Sequence, residues 1–176
     1  MKLTSKYIYE NIKTIFYALI IAILIRSIII QPFYIPSSSM EPTLLVGDRL
    51  FVTKYTYGYS KHSFPFSPSF SNKRFFYSTP NRGDIIVFKT PSDNRTDYIK
   101  RLIGLPGDEI EFIDGNLYIN NNQVLKTKNK NKVPIYCGNQ KINTQYFIEK
   151  LPGGFKHGVV YNNNGSYQNS DKFFIP

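Results

Sequence analysis

Residues 15–30 read IFYALIIAILIRSIII, an apolar run in which only Arg26 and Ser27 are polar. As a helix these 16 residues span about 24 Å, and adding residues 12–14 brings the length close to the ~30 Å hydrocarbon core of a bilayer. The run is apolar on every side, whereas a helix in a soluble core has a polar face. No small-x-small cleavage site follows it, so we expect an uncleaved membrane anchor rather than a signal peptide.

The residues before the apolar run set the expected orientation. They include three lysines and a single glutamate, and the positive-inside rule places the more basic flank in the cytoplasm. We therefore expect residues 1–11 to be cytoplasmic, residues 12–30 to be the anchor and residues 31–176 to form an extracytoplasmic domain.

The chain beyond Pro42 has the pattern of β structure. Short segments rich in β-branched and aromatic residues alternate with turns, and no convincing helical periodicity appears after residue 32. Asp114-Gly115 lies between two such segments and predicts a tight hairpin. The fold class is therefore mainly β, an N-terminal transmembrane helix followed by an antiparallel β domain. The predicted strands are residues 50–59, 84–89, 98–103, 109–113 and 116–119.

Composition excludes several kinds of site. The chain has 176 residues and a net charge of +10, with one cysteine and two histidines. A single cysteine allows neither an internal disulfide nor a cysteine-based zinc site, and neither histidine lies in a recognisable motif. The basic excess leaves open a membrane-anchored binding module that meets anionic headgroups. The alternating lysines of residues 126–132 are expected to lie on a solvated loop or an edge strand.

One serine cluster and one lysine are candidates for a catalytic pair. Ser37-Ser38-Ser39 follows Pro36 directly, in a turn where hydroxyl and main-chain N–H groups can face a developing oxyanion. Serine needs a base, and lysine serves as one in Ser-Lys variants of the catalytic triad. Lysine accepts a proton only when neutral, a form that apolar surroundings favour. Lys100, inside the apolar segment of residues 98–103, meets that requirement.

These stretches together resemble the bacterial type I signal peptidase family. The matching parts are the anchor, Ser39-Met-Glu-Pro-Thr-Leu44, Gly47-Asp48 and the Lys100-Arg-Leu-Ile-Gly-Leu-Pro-Gly-Asp108 segment, in that order. The resemblance covers roughly residues 12–108. It implies that Ser39 is the nucleophile, that Lys100 is the general base, and that the Ser39 N–H and the Ser37 hydroxyl form the oxyanion hole. It also implies pockets for small substrate residues, lined by Ile35, Leu44 and Ile99.

The resemblance implies the reaction and its place in the cell. Members of the family remove N-terminal signal peptides from exported pre-proteins, cutting after an Ala-x-Ala-like sequence without a metal or a cofactor. The expected partners are these signal peptides and the lipid bilayer, and no nucleic acid. The expected location is the bacterial inner (plasma) membrane, as a single-pass protein with a cytoplasmic N-terminus and the catalytic domain outside.

One part of the family pattern is absent from the sequence. The family's Gly-Asp-Asn-Arg box, which packs under the catalytic pair, is not found, and Asp93-Asn94-Arg95 precedes Lys100 and is in the wrong order. We therefore expect a domain that is incomplete at its C-terminus. This leaves a second interpretation open, an impaired or inactive homologue that binds signal peptides without cutting them. A self-cleaving Ser/Lys repressor is disfavoured because the chain has no Ala-Gly bond.

The apolar ending of the chain carries a further expectation. Residues 173–176 read FFIP, which indicates a strand. We expect its partners to lie beyond the last residue.

Overall fold

A long N-terminal helix, α1 (Lys2–Ile28), opens the chain in the computed structural model. Its stretch Ser5–Ile28 has 24 residues and is long and apolar enough to cross a membrane. At 1.5 Å per residue this stretch measures about 36 Å, more than the ~30 Å hydrocarbon core. The helix begins earlier than residue 12, the predicted start of the anchor. It ends at Ile28 because residues from Ile30 onward pair as a strand.

The structure describes residues 2–64, 73–130, 135–137, 140–142, 144–162 and 169–176. It divides into two compact units. The first consists of Met1–Phe33 and Leu50–Thr79, and the second of Tyr34–Arg49 and Pro80–Pro176.

The first unit joins the end of α1 to a small β structure. Strand β1 (Ile30–Tyr34) pairs with β2 (Arg49–Thr53). The Tyr59 hydroxyl donates to the carbonyl of Ile28 at 2.8 Å. The Tyr59 hydroxyl thus satisfies a carbonyl at the end of the helix, where carbonyls have no partner within the helix. Strand β2 is shorter than the predicted strand of residues 50–59. Residues 65–72 lie outside the described residues.

The second unit contains the remaining strands, in four antiparallel groups: β3 with β4, β9 with β10, the order β12-β11-β8, and the order β13-β5-β6-β7. Its core consists of Leu117, Ile119, Val124 and Leu151. The mainly β prediction is confirmed. The bounds are β3 (Ile85–Lys89), β4 (Asp97–Arg101), β5 (Glu109–Ile113), β6 (Asn116–Ile119), β7 (Asn122–Gln123), β8 (Leu125–Lys128), β9 (Ile135–Cys137), β10 (Gln140–Ile142), β11 (Thr144–Lys150), β12 (Lys156–Asn162) and β13 (Phe173–Phe174).

The predicted hairpin is present between β5 and β6. Asp114 and Gly115 both have positive φ, 49° and 70°, as a two-residue hairpin turn of the Asp-Gly type requires. Strand β8 is an edge strand of its sheet among the described residues, as expected for the start of the lysine-rich run. Residues 131–134 of that region lie outside the described residues.

The expectation for the last strand was wrong. Phe173 pairs with Ile110 and Phe174 pairs with Glu109, so β13 finds its partner strand β5 within this chain. The pairing is fixed further by the amide of Ile175, which donates to the carbonyl of Asp108 at 2.9 Å. A pairing across some 60 residues depends on the tertiary fold, and the apolar pattern alone contains no information about it.

Candidate active site

The serine cluster lies on a short loop whose two ends are tied together. The amide of Ile35 donates to the carbonyl of Asp48 at 3.0 Å, and the amide of Gly47 returns a bond to the carbonyl of Ile35 at 2.9 Å. We call residues 36–47 the serine loop. Within it, Ser37 is extended, with φ −133° and ψ 152°, and Ser38–Met40 form one 3₁₀ turn. Met40 is buried and anchors the loop, so that the exposed serines beside it have a fixed backbone.

A recurrent Gly-Asp turn supports both halves of the site. In each copy the aspartate carboxylate accepts the amide of the residue three positions earlier, at 2.8, 2.7 and 2.6 Å for Asp48, Asp84 and Asp108. The preceding glycine has a φ of 99°, 98° or 90°, a conformation that other residues rarely adopt. The first copy closes the serine loop, and the other two flank strands β3 and β4. These aspartates therefore act as supports of the backbone.

Asp108 has a further partner. Arg82 forms an ion pair with it at 2.8 Å. The hydrogen bond from Arg82 holds the pKa of the Asp108 carboxyl at about 2, although burial opposes this. Asp108 is therefore ionised at any pH at which the protein is expected to work.

The structure brings Lys100 and Ser39 into direct contact. Lys100 lies in strand β4, opposite Ile86 of β3, and its Nζ donates to the Ser39 Oγ at 2.5 Å. The Ser37 Oγ lies 3.4 Å from the Ser39 Oγ. Lys100 also lies over the ring of Tyr98, 5.8 Å from its centroid, on the same face of the strand. Hydroxyl and amine are thus within the distance that proton transfer requires.

Arg101 links the two sides of the site, a role that the sequence analysis did not identify. Alternation along β4 directs its side chain to the face opposite Lys100. Its guanidinium donates to Thr43 Oγ1 of the serine loop at 3.0 Å and to the carbonyl of Gly83 at 2.6 Å. It also lies over the ring of Phe155 at 5.4 Å. Burial lowers the pKa of Arg101. In the sequence, the only indication of this role was a second basic residue directly after Lys100.

A buried polar cluster lies on strands β11 and β12. The Tyr161 hydroxyl donates to Glu149 Oε1 at 2.7 Å, and His157 Nε2 lies 3.7 Å from Glu149 Oε2. Burial raises the pKa of Glu149. Burial, and then the charge of Arg101, lower the pKa of His157 to about 4. His157 is therefore neutral at pH 7, and among the described residues its buried Nδ1 has no hydrogen-bond partner.

The residues expected to line the substrate pockets occupy different environments. Ile35 is almost completely buried, at 1% exposure, while Leu44 and Ile99 are partly buried. Ile99 and Lys100 are adjacent in β4, so their side chains lie on opposite faces of the strand. The pocket assignment stays a prediction, and Ile35 in particular would need its present covering to move before substrate could touch it.

The site pairs a hydroxyl with an amine on a β scaffold, and the chain opens with a long apolar helix. These features indicate a membrane-anchored serine hydrolase as the class of protein. Comparison with known proteins identifies the family. A family model described as "Signal peptidase, peptidase S26" matches residues 8–157. The chain belongs to this family of serine endopeptidases.

Curated relatives agree with this assignment. The protein named Signal peptidase I from Rickettsia conorii is 41% identical over 185 aligned residues, which cover 98% of this chain and 67% of the relative. The protein of the same name from Rickettsia prowazekii is 38% identical with the same coverage. The chain thus spans about two thirds of the length of these relatives.

Proposed function

We propose that this protein removes N-terminal signal peptides from exported pre-proteins, with Ser39 as nucleophile and Lys100 as general base. The observation that carries the proposal is the 2.5 Å contact between Lys100 Nζ and Ser39 Oγ. The two residues are 61 positions apart, and local sequence does not require them to meet. The family membership supports the same reaction.

The proposed reaction is an acyl transfer in two stages. Lys100 takes the proton of the Ser39 hydroxyl while Oγ attacks the carbonyl carbon of the scissile bond. The Ser39 N–H and the Ser37 hydroxyl stabilise the resulting oxyanion. Lys100 then protonates the leaving amine, and the mature protein departs from an ester formed with Ser39. A water molecule deprotonated by Lys100 hydrolyses that ester, which releases the signal peptide and regenerates both groups.

We further propose that Ile35, Leu44 and Ile99 line the pockets for small substrate side chains. Branched apolar side chains leave little room beside the nucleophile, which would favour alanine in the substrate. Replacing Leu44 by alanine should relax the specificity. The rate of cleavage after a signal peptide that ends in Val-x-Ala should rise relative to the rate after one that ends in Ala-x-Ala.

The proposed topology has residues 1–11 in the cytoplasm, residues 12–30 in the inner membrane and residues 31–176 on the outer side. It is supported by the apolar helix and by the lysines that precede the apolar run. A cysteine-accessibility experiment tests it, in a chain whose own Cys137 is first replaced by serine. An impermeant thiol reagent on intact cells should then label a cysteine introduced at Lys128 and not one at Lys6.

The activity is tested by cleavage of a pre-protein whose signal peptide ends in Ala-x-Ala. The purified full chain in detergent should cut at that junction. Ser39→Ala and Lys100→Ala should each abolish cutting, while the matched controls Ser38→Ala and Lys128→Ala should retain it. Cutting that survives either of the first two changes would refute the assigned pair.

The second interpretation, binding without cutting, makes a different prediction in the same experiment. The unaltered chain would then bind a fluorescent signal peptide and leave it intact after prolonged incubation. Binding is measured by anisotropy alongside the cleavage assay, so that loss of chemistry and loss of binding are distinguished.

A further inference from the structure

One long stretch of the chain carries charge of almost a single sign. Residues 115–170 contain seven lysines and one acidic residue, Glu149. Glu149 is buried, at 4% exposure, and accepts the Tyr161 hydroxyl, so it presents no carboxylate at the surface. The charged side chains that the sheet of β8, β11 and β12 exposes are therefore lysines, and a surface of one sign attracts ligands of the opposite sign.

Two of these lysines lie directly opposite each other. Lys150 at the end of β11 pairs with Lys156 at the start of β12, so both side chains leave the same face of the sheet. Residues in this position have Cβ atoms about 5 Å apart, and like charges there are destabilising. Both lysines are exposed, and neither forms an ion pair within the described part of the chain. We call Lys150 and Lys156 the lysine pair.

The backbone fixes the position of the lysine pair. Leu151, which follows Lys150, is 2% exposed and belongs to the core of this unit. Its amide donates to the carbonyl of Phe155 at 2.9 Å, and its carbonyl accepts the amide of Gly154 at 3.0 Å. These two bonds close the turn of residues 151–155. The lysine pair therefore lies at the base of a closed turn that is anchored in the core.

The lysine pair lies beside both elements that carry the candidate catalytic residues. Phe155, directly before Lys156, lies under the guanidinium of Arg101 in β4 at 5.4 Å. Two residues beyond Lys156, a side-chain carbon at Gly158 would be 3.0 Å from Pro42 of the serine loop. Two residues of strand measure about 7 Å. Lys156 is thus flanked along β12 by a contact with β4 and by a contact with the serine loop.

We propose that the lysine pair binds acidic residues in the mature part of the pre-protein, a few positions after the scissile bond. An extended chain rises about 3.4 Å per residue, so positions three to six after the bond lie roughly 10–20 Å from it. A pair placed beside the serine loop is suited to that range, which favours the substrate over anionic lipid as the partner. The inference rests on the proposed function and adds a preferred substrate class, pre-proteins whose mature N-terminal segment is acidic.

The test compares two pre-proteins that share one signal peptide ending in Ala-x-Ala. Positions three to six after the junction read Asp-Glu-Asp-Glu in one pre-protein and Asn-Gln-Asn-Gln in the other. The purified full chain in uncharged detergent is given each of them, and the ratio of the two kcat/KM values is measured. The variant Lys150→Gln with Lys156→Gln removes the lysine pair. The matched variant Lys128→Gln with Lys130→Gln removes two exposed lysines at the end of β8, on the other side of β11 from β12.

We expect the unaltered chain to favour the acidic pre-protein roughly two- to tenfold at low salt, mainly through KM, because exposed ion pairs are individually weak. The ratio should fall toward one as salt is added, since salt screens exposed charges. It should also fall toward one when the lysine pair is replaced by glutamine, and it should persist in the matched variant. Lys150→Glu with Lys156→Glu should invert the ratio.

Three results would overturn the inference: equal cleavage of both pre-proteins by the unaltered chain, a preference that survives loss of the lysine pair, or a preference that both double variants lose equally. A lysine-pair variant that alters only the response to phosphatidylglycerol in mixed micelles would assign the pair to lipid, which also overturns it. If neither pre-protein is cut, the proposed function fails. Anisotropy of a fluorescent acidic peptide then tests the pair, since binding should weaken in the lysine-pair variant and not in the matched one.

Discussion

The hydrogen bond from Arg101 to Thr43 is expected to hold the serine loop against the strand that carries Lys100. Thr43→Val removes the acceptor and keeps the shape of the side chain. A hydrogen bond to a charged group contributes about 1.5–3 kcal/mol, and exposure of Thr43 places this one at or below the lower limit. If about 1 kcal/mol is lost from the transition state, kcat/KM falls roughly fivefold.

The measurement is a double-mutant cycle on kcat/KM for pre-protein cleavage. Arg101→Lys keeps the charge and loses the planar fork that reaches both Thr43 and Gly83. If the bond is the link, the double variant should be little worse than Arg101→Lys alone, an interaction energy of about 1 kcal/mol. Thr127→Val on the edge strand β8 is the matched control and should cost nothing. If Thr43→Val cleaves at the unaltered rate, or if the two losses simply add, the bond between Arg101 and Thr43 is not the link.

Two other predictions concern the hairpin of β11 and β12. Gly158→Ala would place a carbon 2.7 Å from the ring of Tyr146 and 3.0 Å from Pro42 of the serine loop. Overpacking of this kind costs about 1–3 kcal/mol, so stability should fall, and the contact with Pro42 should lower the cleavage rate as well. His157 is neutral in the folded protein with a pKa of about 4, and the unfolded chain binds its proton near pH 6.5. Acidification from pH 8 to 4.5 should therefore remove roughly 2–3 kcal/mol of stability that His157→Gln does not lose.

Each of these predictions has its own control. Gly104→Ala meets Ile110 at 2.5 Å and should reduce stability in urea without the added loss of cleavage rate per folded molecule. An equal ratio of rate to folded fraction for both glycine variants would show that Pro42 does not transmit the strain. For His157, parallel plots of unfolding free energy against pH for the unaltered protein and the glutamine variant would show that protonation of His157 does not destabilise the fold.

Local sequence patterns predicted the helix and the β hairpin, whereas the pairing of distant strands and the link through Arg101 depend on tertiary contacts. The apolar run and the Asp114-Gly115 turn act within a few residues, so the helix and the hairpin could be identified without a structure. The pairing of Phe173 with Ile110 could not, because it joins strands far apart in the chain. For the candidate site, Ser39 and Lys100 were predicted from the family resemblance, while the link through Arg101 required the geometry.

The motif residues divide into two groups with different physical tasks. The glycines and aspartates at positions 47–48, 83–84 and 107–108 form the same turn three times, and they shape the backbone without touching the serine. Ser39 and Lys100 carry the proposed chemistry, and the turns support the loop and the strand from which these two residues make their 2.5 Å contact. Glycine is required at these turns because φ is positive there, and aspartate because its carboxylate reaches back three residues. The three Gly-Asp pairs, spread over about sixty residues, therefore meet one requirement, a backbone turn of the same shape at each place. For this reason the combined motif was informative where the serines and the lysine alone were not.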